Sequence, residues 1–340
     1  MATFNFDELV ANQEKTISKG IAGTKILVYG GNNRGKSYQC SRISPKTFAI
    51  LTEAGGSAMT CPKQPCDDWG TFTAIVNDFT KKANVEHRRE QIDVILIDTA
   101  ENLVAQSERA ICSQFGVATL SEITGKQNGY LMARQNFSQQ ITKLCNAGFC
   151  VVFVAHEETV EKTDEITGET YTYIQPKSTS NEKGSMRMLR DLCDFTVYLK
   201  ANPAELVDGV MRPRMSSALF VETRNVFARS RFDIEPVLKE FSGVALKKAI
   251  EDSKIKTAEN ENIGVSQFVS PKTETAEDLI NDIKPLFVAL GQKCPNEVKT
   301  IVAEELGNKK VSEATEADIV ALRNIYDRMT TKAMIYNVEY

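Results

Sequence analysis

Short apolar runs recur along the larger, amino-terminal part of the chain, at Lys25–Tyr29, Thr47–Leu51, Val94–Ile97, Val151–Ala155, Phe195–Leu199 and Ala218–Glu222. Most are continuous rather than alternating, the pattern of strands in a parallel sheet whose two faces are both covered. Amphipathic stretches lie between them. In Leu131–Leu144, for example, Phe137, Ile141 and Leu144 share one helical face. Strand and helix in alternation predict an α/β fold with a mainly parallel central sheet. A hairpin is expected where Thr167-Gly168 separates Val160–Ile166 from Glu169–Ile174.

The texture changes near residue 254. Residues 254–274 are mostly polar and read as a linker. Beyond it, Thr275-Ala276-Glu277-Asp278 has the form of a capping box, followed by Leu279, Ile283, Leu286, Phe287 and Leu290 at helical spacing. Pro285 should kink this helix or mark its start. A second segment, Glu297–Leu306, ends at Gly307, and a third, from Thr315, carries Ile319, Leu322, Ile325, Tyr326 and Met329. The expected organisation is an N-terminal segment (1–20), an α/β core (21–253), the linker, and a small C-terminal helical accessory domain (275–340) suited to docking or assembly.

Composition narrows the function classes. A formal net charge of −4 leaves no global basic field for nucleic acid, so any such contact must be local. No apolar run is long enough to span a bilayer and the start lacks a secretion-signal plan, so a cytoplasmic protein is expected. Eight scattered cysteines read as buried hydrophobes in a reducing compartment, and Cys61–Cys66 has no second pair to complete a zinc site.

Chemistry concentrates at Gly30-Gly31-Asn32-Asn33-Arg34-Gly35-Lys36-Ser37, with Tyr38 following. The segment satisfies G-x-x-x-x-G-K-[ST], and the strand Ile26-Leu27-Val28 feeds it, as a phosphate-binding loop requires. Its backbone N–H groups are expected to cradle the phosphates of ATP, Lys36 to hold the β- and γ-phosphates, and Ser37 to ligate Mg²⁺. Val94-Ile95-Leu96-Ile97-Asp98 supplies the second metal-side group: Asp98, at a strand end, holds a water on Mg²⁺. Two carboxylates compete to orient the attacking water. Glu53 ends the strand Phe48–Thr52 ahead of Gly55-Gly56, and Glu101 falls in the first turn of the helix after Asp98; Glu53 is favoured. His156 ends a third strand beside Glu157-Glu158, placed either as a γ-phosphate sensor or as a structural histidine.

The order of phosphate loop, Glu53 strand, Asp98 strand and His156 strand resembles the RecA-like ATPases. More closely, it is similar to the phage-encoded RecA-like, AAA-type recombination ATPases associated with single-strand annealing. The stretch that carries this is Gly125-Lys126-Gln127-Asn128-Gly129-Tyr130, then Phe137 and Leu144, then Gly148–Glu157. Here the Gly-Lys and Gly-Tyr pairs are separated by Gln127-Asn128, a departure from the family's segment. The resemblance spans about residues 20 to 240 and leaves the C-terminal helices unexplained.

It implies an oligomeric ATPase of phage recombination or replication, acting on single-stranded DNA in the host cytoplasm. It also implies that basic residues late in the core reach a neighbouring subunit's γ-phosphate. Arg229 and Arg231 match that position, with a solvated basic edge as the other reading. DNA is then expected on two loops, with Lys126 and Tyr130 in the first and Lys177, Lys183, Arg187 and Arg190 in the second. The alternative is a nucleotide-gated scaffold recruiting replication or recombination partners through residues 275–332. A small-molecule kinase fits less well, for want of an arginine-rich lid.

Overall fold

The computed structural model describes residues 16–81, 83–124, 128–178, 184–268, 276–336 and 338. Its main unit takes in the described residues 16–268, and the helices from 276 onward belong to a second compact unit.

The strands of the central sheet are β1 (Lys25–Gly30), β2 (Thr47–Leu51), β3 (Lys63–Pro65), β4 (Val94–Asp98), β5 (Cys150–Thr163), β6 (Thr170–Pro176), β7 (Phe195–Lys200), β8 (Ser217–Leu219), β9 (Arg229–Ser230) and β10 (Val237–Leu238). Their order is β10-β8-β7-β1-β5-β4-β2-β3, with β6 on β5 and β9 on β7. From β7 across to β3 every pairing is parallel; β6, β8, β9 and β10 are antiparallel additions.

The helices of this unit are α1 (Lys36–Cys40), α2 (Trp69–Thr80), α3 (Val85–Gln91), α4 (Ala100–Phe115), α5 (Gly129–Asn146), α6 (Ser185–Leu192) and α7 (Gly243–Asn260). Strand alternation sorts the continuous apolar runs into two cores. Leu27, Tyr29, Ile95, Ile97, Val151 and Phe153 pack with Phe72, Leu103, Phe137 and Leu189 on one face. Ile26, Val28, Leu96, Val152, Val154 and Val197 pack with Cys40, Phe241, Leu246 and Ile250 on the other. Each fully buried Leu, Ile, Val or Phe contributes about 1.5–3 kcal/mol, so the two cores fix the sheet and thereby the loops at its ends.

The expected hairpin forms, with β5 and β6 paired from Glu157↔Pro176 to Thr163↔Thr170. Two boundaries differ from expectation. The stretch read as a linker from 254 lies in the core unit as far as it is described: α7 continues to Asn260, and Lys254 donates to Gly20 O and Thr24 Oγ1, each at 2.7 Å. One face of α7 carries Leu246, Ile250, Ser253, Lys254 and Ala258, so a polar sequence still supplies a buried stripe. Next, Gly264–Ser266 pairs in parallel with Thr16–Ser18, which ties residues expected in the N-terminal segment to the core unit. The edge strand expected at 218–222 is also shorter, ending at Leu219.

In the second unit, α8 (Ala276–Gly291), α9 (Pro295–Leu306) and α10 (Ile319–Ile335) share a core of Leu279, Ile283, Leu286, Leu290, Ile301, Leu322, Ile325 and Met329. Pro285 lies inside α8 rather than at its start, and Phe287, expected in the stripe, is 41% exposed. The expected capping residue Thr275 lies outside the described residues.

Candidate functional site

Parallel strands end together, so the residues at the carboxyl ends of β1, β2, β4 and β5 meet at one edge of the sheet. The phosphate loop leaves β1 there. Gly30 carries φ 155°, and a Cβ on it would stand 2.8 Å from Leu199 O; Gly35, at φ 80°, caps α1 in the left-handed region. Both positions need glycine. Lys36 is buried and its Nζ donates to Gly30 O and Gly31 O, each at 2.8 Å. Burial lowers the Lys36 pKa, against the opposing pull of Asp98, Glu101 and Glu157.

Asp98 ends β4 in a buried position, with the Ser37 hydroxyl beside its carboxylate. Burial raises the Asp98 pKa, with Glu53 and Glu101 adding to the rise and Ser37 and Lys36 opposing it. Thr52 pins this strand end to β2: its amide donates to Asp98 O at 2.8 Å, and its hydroxyl accepts the Thr99 amide at 2.7 Å. An oxygen-only pair such as Ser37 and Asp98 suits a hard cation like Mg²⁺, which takes one or two protein oxygens and completes its shell with water and phosphate.

The two competing carboxylates occupy different surroundings. Glu53 is exposed and accepts from Asn102 Nδ2 at 3.3 Å. Glu101 is 5% exposed, and its Oε1 accepts the His156 amide at 3.2 Å and faces His156 Nδ1 at 2.5 Å. His156 thus comes to the same edge, with its side chain about one-third exposed at 35%.

Glu157 joins the site without having been expected there. A Cβ on Gly31 would stand 3.1 Å from its Oε1, and its negative charge helps to raise the Tyr198 pKa, after burial. The only signal for it in the sequence is its place beside His156. Three buried oxygens here, Thr99 Oγ1, Glu101 Oε2 and Glu157 Oε2, have no hydrogen-bond partner among the described residues. Buried polar atoms are ordinarily satisfied, so an edge holding three unsatisfied ones is built around something other than its own side chains.

Arg229 and Arg231 are not brought to this edge. β9 pairs with the start of β7, Arg229 opposite Thr196, whereas the phosphate loop leaves β1 opposite Leu199. Both guanidinium groups donate to Asp191 O, at 3.2 and 3.1 Å, and Arg231 pairs with Asp194 at 3.3 Å.

Of the residues expected on DNA, Lys126 and Lys183 lie outside the described residues. Tyr130 packs half-buried against the cluster of Ile111, Leu120 and Ile123, so its ring is not a free stacking face. Arg190 is not presented for DNA either: it lies over the Phe227 ring at 4.4 Å and donates to Gln175 Oε1 at 3.3 Å, so packing claims it. Lys177 and Arg187 are exposed, and the Lys177 amide donates to His156 O at 2.8 Å, beside the site. The hairpin in the second loop carries Glu161, Asp164, Glu165 and Glu169, with Glu169 paired to Arg224 at 2.7 Å. Its charge is opposite to what a phosphate backbone attracts. No helix among the described residues is long and apolar enough to cross a membrane.

Comparison with known proteins agrees with this geometry. The AAA domain family profile matches residues 22–232. The chain is also 27% identical over 327 residues to the SPbeta prophage-derived uncharacterized protein YorG of Bacillus subtilis (strain 168), covering 93% of this chain and 95% of that protein.

Proposed function

The chain belongs to the AAA domain family, and from that premise we propose that it is a Mg²⁺-dependent ATPase of phage DNA recombination or replication, assembling as an oligomer on single-stranded DNA. The observation that carries the ATPase reading is the edge where Lys36, Ser37, Asp98, Glu53 and His156 converge around unsatisfied buried oxygens. The phage setting rests on the prophage relative and on the resemblance to phage recombination ATPases; DNA and oligomer rest on the resemblance alone.

In this reading the loop amides and Lys36 bind the β- and γ-phosphates, and Lys36 exchanges its two carbonyl partners for phosphate oxygens. Ser37 and Asp98 would hold Mg²⁺, which would supply positive charge to neutralise the phosphates. Glu53 orients the attacking water. It is the exposed carboxylate at the edge, while Glu101 is engaged by His156. Arg229 and Arg231, remote from their own loop, are left to serve a neighbouring subunit's site. Lys177 and Arg187 remain the described candidates for DNA phosphate.

The test is the ATPase rate with and without single-stranded DNA, with mass measured in a non-hydrolysable ATP analogue. Stimulation and assembly support the full reading. Hydrolysis without either would reduce it to an ATPase of other purpose, and absence of hydrolysis would remove it. A scaffold reading draws on the separate core of α8–α10. Deleting residues 275–340 would leave hydrolysis intact and abolish partner recruitment if that reading holds.

A further inference from the structure

We propose that Glu101 is a positioning residue that sets the proton location and orientation of the His156 imidazole; this deepens the ATPase reading given above. Backbone pairing creates the place for it. β4 and β5 pair as far as Asp98↔Val154, and β5 runs on to His156 after β4 has ended. The chain after β4 turns into α4, whose first turn carries Glu101 to the His156 amide that the shorter strand does not reach.

One carboxylate oxygen then serves two atoms of the same residue, the backbone amide at 3.2 Å and Nδ1 at 2.5 Å. Two bare acceptors repel at such a separation, so the proton must lie between Nδ1 and Oε1 and the ring carries it on Nδ1. The nitrogen left to meet a ligand is Nε2. With the amide and Nδ1 both tied to one buried side chain, the ring has little freedom to turn. Lys36 and Asp98 are the charged groups facing this carboxylate.

A stabilising role alone explains the arrangement poorly. Glu101 is 5% exposed and its Oε2 has no partner among the described residues, a costly way to hold one histidine. A carboxylate that locks a neighbouring imidazole into one tautomer costs stability and gains orientation at the reacting group.

Histidine is unusually tractable here, because the chain has only His87 and His156. Imidazole nitrogen NMR of wild-type protein, with His87→Asn to assign the signals, is expected to show His156 protonated at Nδ1, and Glu101→Gln to move it towards the Nε2–H tautomer or a mixture. In kinetics, Glu101→Gln should keep nucleotide affinity within about 3-fold while kcat falls about 10- to 100-fold, as for loss of an orienting partner. The double variant Glu101→Gln with His156→Ala should be no slower than His156→Ala alone, since a residue acting through another adds nothing once that other is gone. A wild-type rate in Glu101→Gln, additive losses in the double variant, or an unchanged His156 tautomer would each overturn the proposal. If wild-type protein hydrolyses no ATP, the ATPase reading fails by itself and the NMR comparison still decides the pairing. Glu101→Gln is isosteric, and its thermal melt alongside wild type separates loss of fold from loss of orientation.

Discussion

The two ends of the central sheet treat charge in opposite ways. At the amino end, Asp194 accepts the Lys25 amide at 2.9 Å and pairs with Lys25 Nζ at 3.4 Å and Arg231 at 3.3 Å. Nearby Asp93 accepts from Ser44 at 2.8 Å, and buried Lys254 donates to two oxygens. At the carboxyl end, Asp98, Glu101 and Glu157 gather around buried Lys36, and two of the three carboxylates keep an oxygen with no partner among the described residues. Charge is neutralised where it serves stability. Where the proposed nucleotide and cation would complete the set, it is left unbalanced.

The strongest way to break this comparison is Lys36→Ala. Losing this buried cation among three carboxylates should lower the ATPase rate about 100-fold or more, measured in steady state with Mg²⁺. A rate near wild type would mean that the carboxyl edge is not the reacting site.

Asp194→Ala attacks the other end. It strands Lys25 and Arg231 and should cost about 2–4 kcal/mol, lowering Tm by about 5–10 °C in a thermal melt while the nucleotide affinity of the folded protein is retained. An affinity loss larger than the stability loss would show that the two ends are coupled.

Asp98→Asn should separate the ends by sign. Burial raises the Asp98 pKa, so the folded state holds that proton more tightly than the unfolded chain does. Ionised Asp98 therefore costs stability, a cost absent below the ordinary carboxylate range and growing as pH rises towards the raised pKa. The neutral variant should melt about 1–4 °C above wild type near pH 7, with the gap closing near pH 4, and should have lost Mg²⁺-dependent hydrolysis. A variant less stable than wild type at every pH would overturn that assignment.

Arg229→Ala should have the smallest effect on stability, below about 1 kcal/mol, because its ion pair is exposed. An ATPase loss out of proportion to that would assign its guanidinium to a neighbouring subunit, since its own phosphate loop lies at the other end of the sheet.

Much of this site is legible in the sequence. The phosphate loop, the Asp98 strand tip and the five parallel core strands β1, β2, β4, β5 and β7 follow from patterns a few residues long, and local patterns survive folding. Glu157 is not legible there, because nothing in the sequence says that a residue after His156 will stand beside Gly31. Arg190 reads as an exposed contact because its partners, Phe227 and Gln175, are distant in the chain. The stretch from 254 reads as a linker for a related reason: a helix with one narrow buried face looks polar when averaged along its length.

The sequence by itself determined that this chain makes a two-faced, mainly parallel sheet with a phosphate loop and an acidic strand end, because glycine placement and apolar continuity act over short range. Only the tertiary structure decided which carboxylate meets which partner. Glu53 and Glu101 are equivalent as letters. The different lengths of β4 and β5 gave Glu101 to His156 and left Glu53 at the open edge.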